Sequence, residues 1–231
     1  MIGGDGDDTL VGGAGNDELD GGAGQDRVSY ALDNDNSNSN GVFVHLVRGS
    51  ATDTHGGTDL LTSIEDVVGS NRDDRVIGDR GANSLIGIDG ADMLWANTGD
   101  DTLSGGDGGD RLFGHFDNDT IMGDADDDFV LGGFGNDILD GGAGNDDLRG
   151  EEGMDSLDGG TGNDQLWGGR DDDTLLGGAG QDELYGERGS DRLDGGAGAD
   201  TLSNGTGNDT LFGGAGEDRL TECTGHEILS L

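Results

Sequence analysis

The sequence predicts an all-β fold, a solenoid in which two parallel sheets of short strands enclose a thin aliphatic core. Three observations carry this expectation. A nine-residue period, Gly-Gly-x-Gly-x-Asp-x-apolar-x, recurs in twenty units, three starting at Gly3, Gly12 and Gly21 and seventeen starting at Gly69 and every ninth residue to Gly213. The sixth position is Asp in every unit but one, where it is Asn83, and the eighth is always Leu, Ile or Val. Glycine dominates the first, second and fourth positions, where positive φ and close backbone approach are needed, so the first six residues read as a tight turn and the last three as a strand. Compositional bias alone would scatter Gly and Asp over all nine phases; phase-locked residues mark one supersecondary unit per period.

Side chains alternate faces in a strand, so the eighth position is expected to point inward while the seventh and ninth point out. Leu139, Leu148, Leu157, Leu166 and Leu175 fit this beside outward residues as varied as Asp147, Arg149 and Gln165. One such strand closes no core, but two units on opposite sides complete a turn of eighteen residues, and stacked turns build the two sheets. At a strand spacing of about 4.8 Å the seventeen regular units give a rod roughly 40 Å long.

The elements follow in order along the chain. Residues 1–29 hold the first three units. Residues 30–59 interrupt the period; within them Val42-Phe43-Val44-His45-Leu46-Val47 is β-rich, which predicts a hairpin packed on the roll with residues 33–40 as a polar loop. A segment of about 30 residues buries too little core to be a separate domain. Counting back from Gly69, residues 60–68 form a degenerate unit whose sixth position is Glu65 and whose eighth is Val67, so the main roll is expected over residues 60–221 as eighteen units. Residues 222–231 follow as a tail, and the whole reads as one continuous domain.

Only 30% of the residues are hydrophobic and the formal net charge is -40, a balance that in an aperiodic chain would predict disorder. The phased aliphatics argue for folding. With 51 acidic residues against 11 arginines and no lysine, the chain should repel nucleic acid and anionic membranes and attract cations. Cys223 is the single cysteine, so no internal disulfide is expected. No apolar run is long enough to span a membrane, and no amino-terminal signal peptide is legible.

Stacking every eighteen residues brings alternate units into one column along each edge. One edge is expected to carry Asp8, Asp26, Glu65, Asn83, Asp101, Asp119, Asp137, Asp155, Asp173, Asp191 and Asp209, and the other Asp74, Asp92, Asp110, Asp128, Asp146, Asp164, Asp182, Asp200 and Asp218; Asp17 completes the candidate ligand set. Bare carboxylates so arranged repel along the whole length unless cations sit between them. Carboxylates plus the carbonyls of an open Gly-rich turn are hard oxygen donors and suit calcium, which takes about six to eight of them. Zinc would want His or Cys, and His45, His55, His115 and His226 lack ligand spacing. About 16–18 gaps between turns are available, and filling about 18 with divalent ions brings the formal charge from -40 to about -4.

In repeats such as Gly141-Gly142-Ala143-Gly144-Asn145-Asp146-Asp147-Leu148 the chain resembles the RTX (repeats-in-toxin, hemolysin-type calcium-binding) family, for which this nonapeptide is a known signature. The resemblance implies a right-handed parallel β-roll in which calcium is held by the sixth-position Asp and by backbone carbonyls of the first, second and fourth residues. Arg72, Asp117, Asp126 and Asp171 replace the fourth-position Gly; they keep a carbonyl but predict more strained turns and weaker sites. The stretch Ile64-Glu65-Asp66-Val67-Val68-Gly69-Ser70 is similar to the segment preceding the roll in serralysin-type secreted proteases, where a Glu at this point binds calcium and a later unit carries Asn, as Asn83 does here. RTX proteins typically leave bacteria by type I secretion, which implies an extracellular protein, and the ending Glu227-Ile228-Leu229-Ser230-Leu231 faintly resembles serralysin termini.

Neither His-Glu-x-x-His nor Gly-x-Ser-x-Gly occurs, so no catalysis is expected within the chain, though it could be the carboxy-terminal part of a larger secreted enzyme such as a metalloprotease. A different class of reading is adhesion or ligand binding by an outer face. Trp95, Phe113, Trp167 and Tyr185 fall at ninth positions of one face, a partly apolar column for a partner. The other face carries Ser84, Thr102, Thr120, Ser156, Thr174 and Thr210, an ice-binding-like ladder interrupted by Ile138 and Arg192.

Overall fold

The computed structural model describes the backbone of residues 1–32, 41–221 and 228–230. Among these residues there are strands, turns and one short 3-10 helix, Leu46–Arg48. The strands form two sheets, one of 14 strands and one of 12. From one turn to the next they pair in parallel with an eighteen-residue register: Leu85 lies opposite Leu103, Leu103 opposite Ile121 and Leu148 opposite Leu166. Every eighth position from Leu10 to Leu211 is buried between the sheets, and Leu220 packs on the end of that core. The protein is the parallel β-roll that its period predicts.

The strands are longer than expected through the middle of the roll. They run past the ninth residue into the first three of the next unit, as in Ser84–Asp89 and Asp147–Glu152. Alternation then turns two positions inward rather than one, the eighth and the following first; in Asp147–Glu152 these are Leu148 and Gly150. Toward the carboxy-terminal end strands shorten to three residues, as in Thr174–Leu176, and single bridges such as Thr161 to Ala179 continue the ladder.

Around the interruption the strands are β1 (Ile2–Asp5), β2 (Thr9–Leu10), β3 (Glu18–Ala23), β4 (Arg27–Ser29), β5 (Phe43–His45), β6 (Ser50–Thr52), β7 (Thr58–Thr62), β8 (Asp66–Val68), β9 (Arg75–Ile77) and β10 (Ser84–Asp89). In the 12-stranded sheet β2, β4, β8 and β10 follow one another directly, whereas the other sheet runs β1, β3, β7, β6, β5, β9. Strands β5 and β6 pair antiparallel through a turn closed by Gly49 at φ 63°; β6 pairs antiparallel with β7, and β5 pairs parallel with β9.

The hairpin expected to pack on the roll is therefore spliced into one of its sheets. Val44, Leu46 and Ala51 turn inward and continue the aliphatic core, and both hairpin edges find the backbone partners that an outer position would leave to solvent. Strand β7 crosses the boundary expected at residue 60, and Ile228–Ser230, expected in a tail, pairs with Thr210–Phe212 as a further strand. The polar loop expected at residues 33–40 lies outside the described residues.

Candidate metal centres

The turns bring the sixth-position residues into two columns, one along each edge. Within a column the backbone N–H of each residue donates to Oδ1 of the Asp eighteen residues later: Asp92 to Asp110 at 2.7 Å, Asp101 to Asp119 at 2.9 Å, Asp146 to Asp164 at 2.9 Å, and likewise down to Asp191 with Asp209 and Asp200 with Asp218. One carboxylate oxygen per residue is thereby fixed to the backbone. The other oxygen, Oδ2, is buried and has no hydrogen-bond partner among the described residues at Asp8, Asp17, Asp26, Asp92, Asp101, Asp110, Asp119, Asp128, Asp137, Asp146, Asp155, Asp164, Asp173, Asp182, Asp191 and Asp200. An unpaired anionic oxygen buried once is costly, and repeated on nearly every turn it requires a cation or a proton.

The first position is Gly in every unit but those starting at Ala96 and Asn204, and these glycines show what lies around Oδ2. A Cβ added at Gly159 would stand 2.6 Å from Asp164 Oδ2 and 2.7 Å from the Gly177 carbonyl oxygen of the next turn, and at Gly195 it would stand 2.6 Å from both Asp200 Oδ2 and the Gly213 carbonyl. The space that a side chain would fill is thus lined by a carboxylate oxygen and a carbonyl oxygen. From Gly87 to Gly213 the second and fourth residues of every unit have positive φ, including non-glycines such as Ile88 at 102°, Glu151 at 82° and Asp171 at 76°. Of the fourth-position replacements, Asp117, Asp126 and Asp171 adopt this left-handed geometry and Arg72 does not.

Burial without a counter-ion raises the carboxyl pKa values far above the usual range. Desolvation is the largest cause, partly offset by the backbone N–H bond and reinforced by neighbouring aspartates, and it carries Asp92, Asp119, Asp128 and Asp173 to about 8. Asp101, Asp155, Asp164 and Asp191 reach about 7, and Asp74, Asp110, Asp137 and Asp146 about 6. Among the described residues no three His, Cys, Asp or Glu side chains converge. The protein atoms beside Oδ2 are carbonyl oxygens, a donor set that fits a hard oxygen-seeking cation better than zinc.

The interrupted region departs from this pattern. Glu65 takes its expected place, its Oε2 accepting the Asp26 N–H at 2.8 Å. Asn83 turns its amide onto its own surroundings: Oδ1 accepts the Asp79 N–H at 2.8 Å, and Nδ2 donates to the Glu65 carbonyl at 2.8 Å and to Asp79 Oδ1 at 3.2 Å. Asp74 Oδ1 accepts from the Val42 N–H at 2.6 Å and the Ser70 hydroxyl at 2.8 Å, while Oδ2 accepts the Ser70 N–H at 2.5 Å. At Asp209 the side chain of Asn204, which replaces a first-position Gly, donates to Oδ2 at 2.9 Å. Asp218 lies near the end of the roll and is half-buried.

One ladder residue escapes the sequence reading. Asp59 Oδ1 accepts the Asp17 N–H at 3.0 Å and its Oδ2 accepts the Tyr30 hydroxyl at 3.1 Å, so it does for Asp17 what Glu65 does for Asp26. Its signal is present, since Gly57, Asp59 and Leu61 match positions four, six and eight, but Asp59 precedes Glu65 by six residues, and a fixed nine-residue frame steps over it. Asp53 beside it is saturated by the N–H groups of His55, Gly57 and Gly15.

On the outer face of the 14-stranded sheet, Trp95 stacks on Phe113 with centroids 5.7 Å apart and Trp167 on Tyr185 at 5.4 Å, while the Arg149 guanidinium lies 4.8 Å from the Trp167 ring. The rings thus cover one another's faces. On the opposite sheet Thr102 lies in register with Thr120 and Ser156 with Thr174, with Ile138 between the pairs. No described helix is long and apolar enough to cross a membrane.

The family profile described as RTX calcium-binding nonapeptide repeat (4 copies) matches residues 2–36 and, in overlapping copies, residues 68–221, well over half of the chain. No curated protein matches the sequence. With that match, the buried unpartnered oxygens and the nonapeptide β-roll, the chain belongs to the RTX calcium-binding nonapeptide repeat family.

Proposed function

We propose that this chain is the calcium-binding β-roll of a secreted bacterial protein, exported by type I secretion, which folds on binding about 16–18 calcium ions outside the cell and has no catalytic activity of its own. The observation that carries the reading is the buried, unpartnered Oδ2 repeated along both edges. Bound calcium supplies the positive charge and coordination that those oxygens lack. The chain's own part is to hold Oδ1 on the backbone, aim Oδ2 at a carbonyl-lined space and, in all but the units starting at Ala96 and Asn204, keep side chains out of it with glycine. Because the columns exist only when turns stack, ion-binding free energy becomes folding free energy. Such a roll stays expanded in a calcium-poor cytosol, which suits passage through a secretion channel, and sets outside as a folding and stability module.

A circular-dichroism titration tests this. The β signal should be small in EGTA and should rise to saturation by millimolar calcium; an identical spectrum in both refutes folding on calcium. The adhesion reading gains less support, because the aromatic rings of the outer column are already stacked on one another.

A further inference from the structure

The two edges fail to present a free carboxylate oxygen at the same level of the roll. On one edge that level holds Asn83, an amide whose oxygen and nitrogen are both engaged by Asp79 and the Glu65 carbonyl. On the other it holds Asp74, whose two oxygens accept three protein donors, from Val42 and Ser70. The backbone tells the same story independently. In the units starting at Gly3, Gly12 and Gly21, and in every unit from Gly87 on, the second and fourth residues have positive φ; in the units starting at Gly69 and Gly78, Ser70, Arg72, Asp79 and Gly81 do not. With the turn so altered, the second-position N–H of Ser70 and of Asp79 points at the sixth-position side chain, where a free Oδ2 stands in the other turns.

We infer that the calcium ladder is split by an ion-free seam at residues 69–83, where protein N–H and O–H donors do the work that cations do elsewhere. The inference rests on the calcium reading above. On the amino-terminal side lie Asp8, Asp17 and Asp26 with buried unpartnered oxygens, and on the carboxy-terminal side the run that starts with Asp92 and Asp101. The roll therefore carries two ion arrays rather than one continuous column. Asp74 and Asn83 are hydrogen-bonding residues that join the arrays, not ligands. Asn83 is suited to this role because an amide both donates and accepts, which a carboxylate does not.

The test counts ions. The full chain is freed of metal, reloaded with saturating calcium and weighed by native mass spectrometry, with circular dichroism reporting the fold of each variant. Asp74→Asn and Asn83→Ala should bind as many calcium ions as the unaltered chain, whereas Asp92→Asn and Asp101→Asn should each bind at least one fewer. If Asp74→Asn fails to fold in calcium, Asn83→Ala carries the comparison. Loss of an ion from a folded Asp74→Asn or Asn83→Ala chain overturns the seam while leaving the calcium reading intact. An unaltered chain that binds no calcium overturns both.

Discussion

Replacing Gly159 by Ala adds one methyl group where a first-position turn leaves it no room. The backbone there is not in the left-handed region, so a Cβ brings no conformational strain, and the test isolates space alone. The new carbon would stand 2.7 Å from the Gly177 carbonyl oxygen and 2.6 Å from Asp164 Oδ2. That carbonyl belongs to the next turn, where the Gly177 N–H donates to the Asp194 carbonyl at 2.8 Å, so relief requires the stacked turns to shift. Overpacking of this kind costs about 1–3 kcal/mol, and the loss of a glycine from the unfolded chain returns about 0.4–1 kcal/mol. At the middle of both ranges the net cost is about 1.3 kcal/mol, which in a domain of this size lowers the melting temperature by roughly 3–5 °C. Melting followed by circular dichroism in saturating calcium, together with an ion count, is the assay. A Gly159→Ala chain that melts with the unaltered chain and keeps every ion refutes the view that the first-position glycine clears a metal cradle.

Two further outcomes are expected. Ile88 is a β-branched residue held at φ 102°, so Ile88→Gly should stabilise the calcium-loaded roll by about 1 kcal/mol in chemical denaturation, and destabilisation would show that its side chain contributes more than its strain costs. In calcium-free buffer the buried aspartates, raised to about 8 at Asp92 and Asp173 mainly by desolvation, keep protons in the folded state that the unfolded chain releases near pH 4. Stability of the metal-free roll is thus fullest below pH 4 and lost as pH rises through 6–8, so its β signal should be larger at pH 5 than at pH 8.5, and the opposite order would refute the titration sign.

Much of this is legible because the period is strict. The eighth-position aliphatics and the sixth-position aspartates from Asp92 to Asp200 lie where a frame of nine puts them, buried in the core and aligned along the edges. What the frame does not supply is what depends on continuous geometry. Nothing in one unit says how far a strand extends, so the second inward position goes unseen although its glycines are plain. The splice at β5 and β6 depends on which backbone edge meets which, and alternation in six residues does not encode that. The altered turns at Ser70 and Asp79 are also silent in sequence, since Ile88, Asn97 and Glu151 replace the same glycine and keep positive φ.

The spliced hairpin also makes the two faces of the roll unequal in strand number. Two additional strands lengthen one face of the roll by about 10 Å at the usual spacing of about 4.8 Å, while the opposite face, where β4, β8 and β10 are immediate neighbours, gains nothing. The difference between 14 strands on one face and 12 on the other is thus set by the two hairpin strands, which lie outside the repeat.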